Sequence, residues 1–319
     1  MRTKVLFATV ALLLLASTLA GCAGGTKEPQ YPTGPITYLI VFDPGGQSDR
    51  RARMQQPELE RILGQKVLID YKVGGGGAVG WAECVRAKPD GYTMCGINIP
   101  HIILQPLQQD VGYKTEQLVP VAFFERTPLG LAVLNTSPYK TLQEFLDAAK
   151  ANPGQISIGG SGTFSGHHMA TLWLQKLTGA QFNYVPFTGA APQMTAFLGG
   201  HVDAVIANSD DLVKYADQIR VLAIGTEGPF EALPGAPTFK SQGVDMVIGI
   251  ERGVAVPSGT PDYVIKKLES AFLEIHKKAD VQAQMRKDGF EPLAMGHEES
   301  KAYIEKMTGV YKDLAAQVK

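Results

Sequence analysis

Short β-rich runs alternate with helical patterns along almost the whole chain, and few architectures satisfy that alternation. ITYLIVF (36–42) precedes a helical pattern over 48–63, KVLIDY (66–71) precedes one over 78–87, and YTMCGIN (92–98) follows the turn Pro89-Asp90-Gly91. After VPVAFFERTPLGLAVL (119–134) comes the helix KTLQEFLDAAKAN, ended by Pro153-Gly154. Then come ISIGGSG with helix 165–178, FNYVPFTG with helix 191–199, VDAVIANS with helix 210–217, and IRVLAIGT. Helices over 261–288 and 297–317 follow, around a short FEPLAM strand. The pattern predicts an α/β fold of mainly parallel sheets with helices on both faces.

Several strands end in a glycine or small polar turn just before a helix: Gly45-Gly46, Gly74 to Gly77, Ser161-Gly162-Thr163, Thr188-Gly189 and Asn208-Ser209. In open α/β sheets that carboxyl edge is where ligands sit. In FDPGGQSDRRAR (42–53) the glycines allow a sharp turn, and Ser48 or Asp49 is placed to cap the helix. Strand, glycine turn and helix start together form an anion cradle, because the first helical amides point outward unpaired. No phosphate-gripping lysine follows, so this is not a Walker loop. Five such edges predict two lobes facing across a cleft, able to hold an acidic small molecule without lysine or arginine. Arg50, Arg51 and Arg53 read as solvated on the helix.

The N-terminus points to export. MRTKVLFATVALLLLASTLAGC has Arg2 and Lys4, a short apolar run and small residues before Cys22, the plan of a signal peptide over 1–21 rather than a spanning helix. The ending Leu19-Ala20-Gly21-Cys22 resembles a bacterial lipobox, which implies that Cys22 carries lipid and anchors the protein at the cell membrane; residues 22–30 then read as a tether. Removing 21 residues from a chain of 319 leaves 298, enough for two lobes. Losing Arg2 and Lys4 from 30 basic residues leaves 28 against 31 acidic ones, and a near-neutral body without a basic run argues against a nucleic-acid partner. Cys84 and Cys95 read as buried free thiols, with a disulfide as the alternative that an oxidising compartment allows.

Enzyme motifs fail on inspection. KVGGGGAVG contains a Gly-x-Gly-x-x-Gly match, but it follows the second strand and no acidic residue ends the next one at Asn98. Ser161 and Ser165 lack the glycine spacing of a nucleophile elbow. The adjacent His167 and His168 point different ways on a helix, so no metal site is expected. Asp210-Asp211 and Glu298-Glu299 read as helix-start acids that favour the dipole. No catalytic residue and no cofactor is expected.

The order of motifs resembles a known family. YPTGPITYLIVFDPGGQSDRRAR, LGQKVLIDYKVGGGGAVG, AKPDGYTM, ANPGQISIGGSGTFSGHH, VPFTGAAPQMTAFLGGHVDAV and VPSGTP are similar, in sequence order, to signatures of the solute-binding proteins of tripartite tricarboxylate transporters, the Bug proteins. The resemblance implies a two-lobed periplasmic-binding-protein fold (type II-like), with lobe one from 31–126 plus 250–319 and lobe two from 127–249. It implies an extracytoplasmic receptor, expected as a monomer, that captures a mono-, di- or tricarboxylate and delivers it to a membrane permease. A sensor subunit and, further off, a lipoprotein hydrolase are the alternatives. Carried over position by position, it implies ligand binding by Gly45, Gly46, Gln47 and Ser48 in the first lobe. In the second it implies Ser161, Gly162, Thr163, Phe164, Ser165, His168, Thr188, Gly189 and Asn208. Thr163 and Phe164 depart from the family's common Asn-Gly, and Thr188 replaces a frequent lysine. Asp49 reads as a cap, because an anion directly against it would be repelled. Trp81 and His101, near the same edge, read as packing residues.

Overall fold

The computed structural model describes residues 29–317. The signal peptide, Cys22 and most of the tether lie outside the described residues. Strand β1 (Ile36–Ile40) lies between β2 (Val67–Tyr71) and β3 (Thr93–Ile99), parallel to both. Ile36 and Ile40 are fully buried and Leu39 nearly so, which is why ITYLI reads as a continuous apolar run: a parallel strand is covered on both faces. Helix α1 (Gln47–Leu63) connects β1 to β2 and buries Arg51, Ala52, Gln55, Leu59 and Leu63. It stops at Gly64, whose φ of 67° suits glycine and whose amide closes on the Glu60 carbonyl at 2.9 Å. Helix α2 (Ala78–Arg86) connects β2 to β3.

Beyond β3 the sheet departs from the parallel pattern that the alternation predicts. The order is β2-β1-β3-β9-β4-β7-β5-β6, with β9 (Gly249–Pro257) antiparallel to both β3 and β4 (Leu118–Leu134). The first half of β4 also pairs with β10 (Glu291–Met295), and its second half pairs antiparallel with β7 (Ala204–Asn208) and β8 (Ile219–Ile224). Strands β5 (Ser157–Ser161) and β6 (Asn183–Phe187) complete the second lobe, β5 running parallel to β6 and β7. The chain leaves the first lobe on β4 and returns on β9, so those two strands must run in opposite directions. They pair through the crossing, Arg126 opposite Glu251, Thr127 opposite Ile250 and Pro128 opposite Gly249. The result is a two-lobed α/β fold with a separate apolar core in each lobe. Trp81, Ile97, Ile102 and Phe123 are buried in one; Phe145, Leu174, Phe182 and Ile206 are buried in the other.

Three local expectations are corrected. The span 261–288 is two helices, α8 (Asp262–His276) and α9 (Ala279–Lys287), broken at Lys277-Lys278. A helix that the sequence reading left out, α3 (His101–Gln108), follows β3. Cys84 and Cys95 are not free thiols: α2 packs against β3, bringing their Cα atoms to 6.2 Å, and they form a disulfide. Spacing along the chain does not reveal that packing. The remaining helices are α4 (Leu142–Ala151), α5 (Gly166–Thr178), α6 (Ala190–Leu198), α7 (Ser209–Lys214) and α10 (His297–Gln317). Among the described residues, no helix is long and apolar enough to cross a membrane.

Candidate functional site

A cavity of about 70 Å³ lies between the lobes at the carboxyl ends of the strands. From the first lobe, Asp43, Gly46, Gln47 and Ser48 form one wall. From the second, Ser161, Gly162, Thr163 and Ser165 come from the β5–α5 loop, Thr188 and Gly189 from the β6–α6 loop, and Asn208 from the end of β7. The two sides stand close: a Cβ built on Gly189 would be 3.5 Å from the Asp43 carboxylate. The starts of α1, α5 and α6 thus converge on one small volume, each with amides that no residue inside its own helix can satisfy.

Of the residues carried over from the resemblance, Gly45, Phe164 and His168 do not line the cavity. The Gly45 amide is held by the Asp49 carboxylate at 2.7 Å, and the Gly46 amide donates to the Asp43 carbonyl at 3.1 Å. The glycine amides are therefore spent on shaping the turn, and the helix-start amides of Gln47 and Ser48 are the ones placed for an anion. Asp49 also accepts from the Tyr71 hydroxyl at 2.7 Å and from Arg53 at 2.8 Å. Across the cleft, Ser165 caps α5, its hydroxyl accepting from the His168 amide at 3.2 Å. His168 accepts from the Phe164 amide at 3.1 Å and stacks on Tyr184 with ring centroids 4.4 Å apart. This holds Phe164 at a φ of 53°, a conformation rare for a bulky residue. His168 therefore braces the loop from behind.

The histidine facing the cavity is His167, whose Nδ1 lies 2.5 Å from the Ser161 hydroxyl. Burial above all, then the Arg252 charge, pushes its pKa down to about 3, so it is neutral at ordinary pH. His101, also in the wall, is likewise pushed down to about 3, chiefly by burial. A neutral histidine next to a serine supplies two of the three members of a nucleophilic triad, but the side chain beside His167 is the amide of Asn208 and no carboxylate orients it. Among the described residues no cluster of His, Cys, Asp and Glu could hold a metal ion.

Charge enters the site where the sequence reading expected none. Arg252, on β9, lines the cavity and is 5% exposed. Arg51 is not solvated: it is 4% exposed and ion-paired with the fully buried Glu125. Arg50 reaches over the cleft to Asp210 at 2.7 Å, and Gln47 donates to the same carboxylate at 2.9 Å. Asp210 and Asp211 are therefore buried against the opposite lobe, not merely helix-start acids. Burial, then Asp211, pushes the Asp210 pKa up to about 7. One acceptor on the cavity wall, Gln47 Oε1, has no donor, and the Asn208 side chain faces His167. Such a wall can receive a solute bearing both anionic oxygens and a hydrogen-bond donor.

These shifts give opposing pH dependences. For His167 the unfolded pKa is about 6.5. Its contribution to stability is therefore present above about pH 6.5 and lost as pH falls toward 3. For Asp210 the stabilising form is the protonated one, so its contribution is present below about pH 4 and lost as pH rises through 7. Replacing His167 by asparagine is expected to lower the stability at pH 8 relative to that at pH 5 by about 2 kcal/mol. Urea denaturation at the two pH values checks this, and an unchanged difference overturns it.

The model of the tripartite tricarboxylate transporter family receptor matches residues 51–316. The chain belongs to that family. It is 29% identical to Protein BugT of Bordetella pertussis over 311 residues, 94% of this chain and 95% of that one. Among solved structures it is similar to one described as a periplasmic transporter, with a TM-score of 0.84 and 29% identity over 90% of this chain and 98% of that one. It also shares its fold with R. palustris Rpa4515 with adipate, at a TM-score of 0.84 and 24% identity, covering 91% of this chain and 98% of that one. Tripartite tricarboxylate family receptors are solute-binding proteins, not enzymes, which agrees with a Ser161–His167 pair that lacks an orienting acid. Arg252, Asp43, Asn98, His101 and His167 are among the cavity residues that sequence reasoning missed. One signal was available for Arg252: Glu251-Arg252 interrupts an apolar run, and a charged pair there implies buried partners.

Proposed function

We propose that this tripartite tricarboxylate family receptor captures a small organic acid outside the cytoplasm and delivers it to the permease of such a transporter. The observation that carries the reading is the convergence of three helix starts from both lobes on one cavity. A carboxylate there would accept amides of Gln47 and Ser48 on one side and of the β5–α5 and β6–α6 loops on the other. The carboxylate would thereby favour the state in which the lobes are together. The adipate named with Rpa4515 is a small organic acid of this class.

Thermal-shift measurements with mono-, di- and tricarboxylates test this. A fitting acid at about 100 times its dissociation constant should stabilise the protein by about 2.7 kcal/mol, with or without chelator. No response to any acid overturns the carboxylate reading, and a response that chelator abolishes points to a metal instead. Attachment through lipid on Cys22 is part of the same proposal. The variant Cys22→Ser is expected in the soluble fraction after cell breakage, and unchanged partition with membranes would refute the anchor.

A further inference from the structure

We infer that Arg252 is the specificity-determining residue of the cleft: it receives an anionic group of the solute and sets the preference for a charged acid over its neutral isostere. The inference rests on the receptor reading above and deepens it. Arg252 lies where β9 crosses between the lobes, faces the cavity and is 5% exposed. One of its terminal nitrogens donates to the Thr127 hydroxyl, and the same nitrogen lies 3.8 Å from Glu125. Its Nε has no partner. A buried donor left unmade is costly, and unlike Arg51, whose Nε is also unpartnered, Arg252 lines the cavity where a solute can approach.

The surrounding acids are engaged more closely by other groups. Glu125 is engaged more closely by Arg51, so two buried guanidinium groups share one carboxylate. Asp210 and Asp211 face Arg252 from α7, but Asp210 is already held by Arg50 and Gln47. Burial also pushes the Asp210 pKa up to about 7, which reduces the negative charge it carries at neutral pH. The Arg252 guanidinium thus stands, without a close ion pair of its own, at the edge of a cavity lined also by hydroxyls, side-chain amides, backbone amides and the Asp43 carboxylate. Buried charge calls for a partner, and an anion in the cavity supplies one. His101 and His167, the histidines in the wall, are neutral and do not compete, and the Asp43 carboxylate lines the same cavity.

Calorimetry with adipate, malate and succinate, each against its monoamide, tests the inference on the unaltered protein and on Arg252→Gln and Arg252→Lys. The unaltered protein should prefer the acid roughly ten- to a hundredfold. Arg252→Gln should show less than about twofold preference, and Arg252→Lys an intermediate one. A merely structural arginine would weaken both members of a pair equally, so an unchanged ratio in Arg252→Gln overturns the inference and leaves the receptor reading standing. If none of the three acids binds the unaltered protein, the carboxylate reading falls, and the inference with it. Should Arg252→Gln not fold, the Nε–H resonance absent from Arg252→Lys decides. It should shift on adding the acid and not the monoamide, and a resonance unmoved by the acid refutes the assignment.

Discussion

Arg51→Ala is expected to lower the unfolding free energy by about 3–5 kcal/mol, the usual cost of leaving a buried charge without its partner. Glu125 is fully buried, and its close ion pair is with Arg51. The Arg51 guanidinium also lies over the Phe290 ring, 4.8 Å from its centroid, so the substitution removes packing as well as charge. Arg252, at 3.8 Å, is left as a poor substitute. Arg61 sits on the same helix and pairs with Glu58 and Glu274, but its side chain is 55% exposed. Arg61→Ala should therefore leave the denaturation midpoint where it is. Urea titration of both variants checks the contrast. A loss below about 1 kcal/mol for Arg51→Ala would mean that water reaches Glu125 and that the site is less dry than its burial implies.

The same helix shows how far the sequence could be read. RRAR sits in a polar stretch, and three arginines in four positions look like a solvated face. Arg51 nevertheless shares the i, i+4 row with Gln55 and Leu59, both buried, so its direction was legible. What made burial tolerable was not legible from the helix, because the partner arrives from β4, in VPVAFFERTP. A charged pair inside an apolar run, Glu125-Arg126 there and Glu251-Arg252 on β9, marks each strand where it crosses between the lobes. The strand–turn–helix units were legible because alternation and glycine punctuation are local. The antiparallel entry of β9, the Cys84–Cys95 disulfide and Arg252 in the cavity wall depend on which distant segments meet, and local pattern does not encode that. The loops were found by composition, but which amides remain free was decided by the Asp49 carboxylate, which takes the Gly45 amide, and the Asp43 carbonyl, which takes the Gly46 amide.

That division of labour changes the reason for expecting Gly46→Val to weaken acid binding by about ten- to a hundredfold, while leaving the direction intact. The Gly46 amide is occupied by the Asp43 carbonyl, so a valine does not remove a ligand donor. A Cβ at position 46 would instead sit 3.0 Å from that carbonyl, and the branched side chain would extend along the cavity wall that Gly46 forms. Either the turn shifts, displacing the Gln47 and Ser48 amides, or the methyl groups occupy the solute's space. Loss of one charge-assisted amide contact costs on the order of 1.5–3 kcal/mol, which is the stated fold-change. Arg50→Ala is the comparison. It removes the bridge to Asp210, but the Arg50 side chain is 50% exposed, and such pairs contribute about 0–1 kcal/mol. Its expected effect is less than about fivefold, seen mainly in faster release as the lobes part more easily. Calorimetry on both variants with the acid that gives the largest thermal shift, and circular dichroism to verify folding, decides the order. If Arg50→Ala abolishes binding while Gly46→Val retains it, the ion pair across the cleft governs capture and the amide cradle does not.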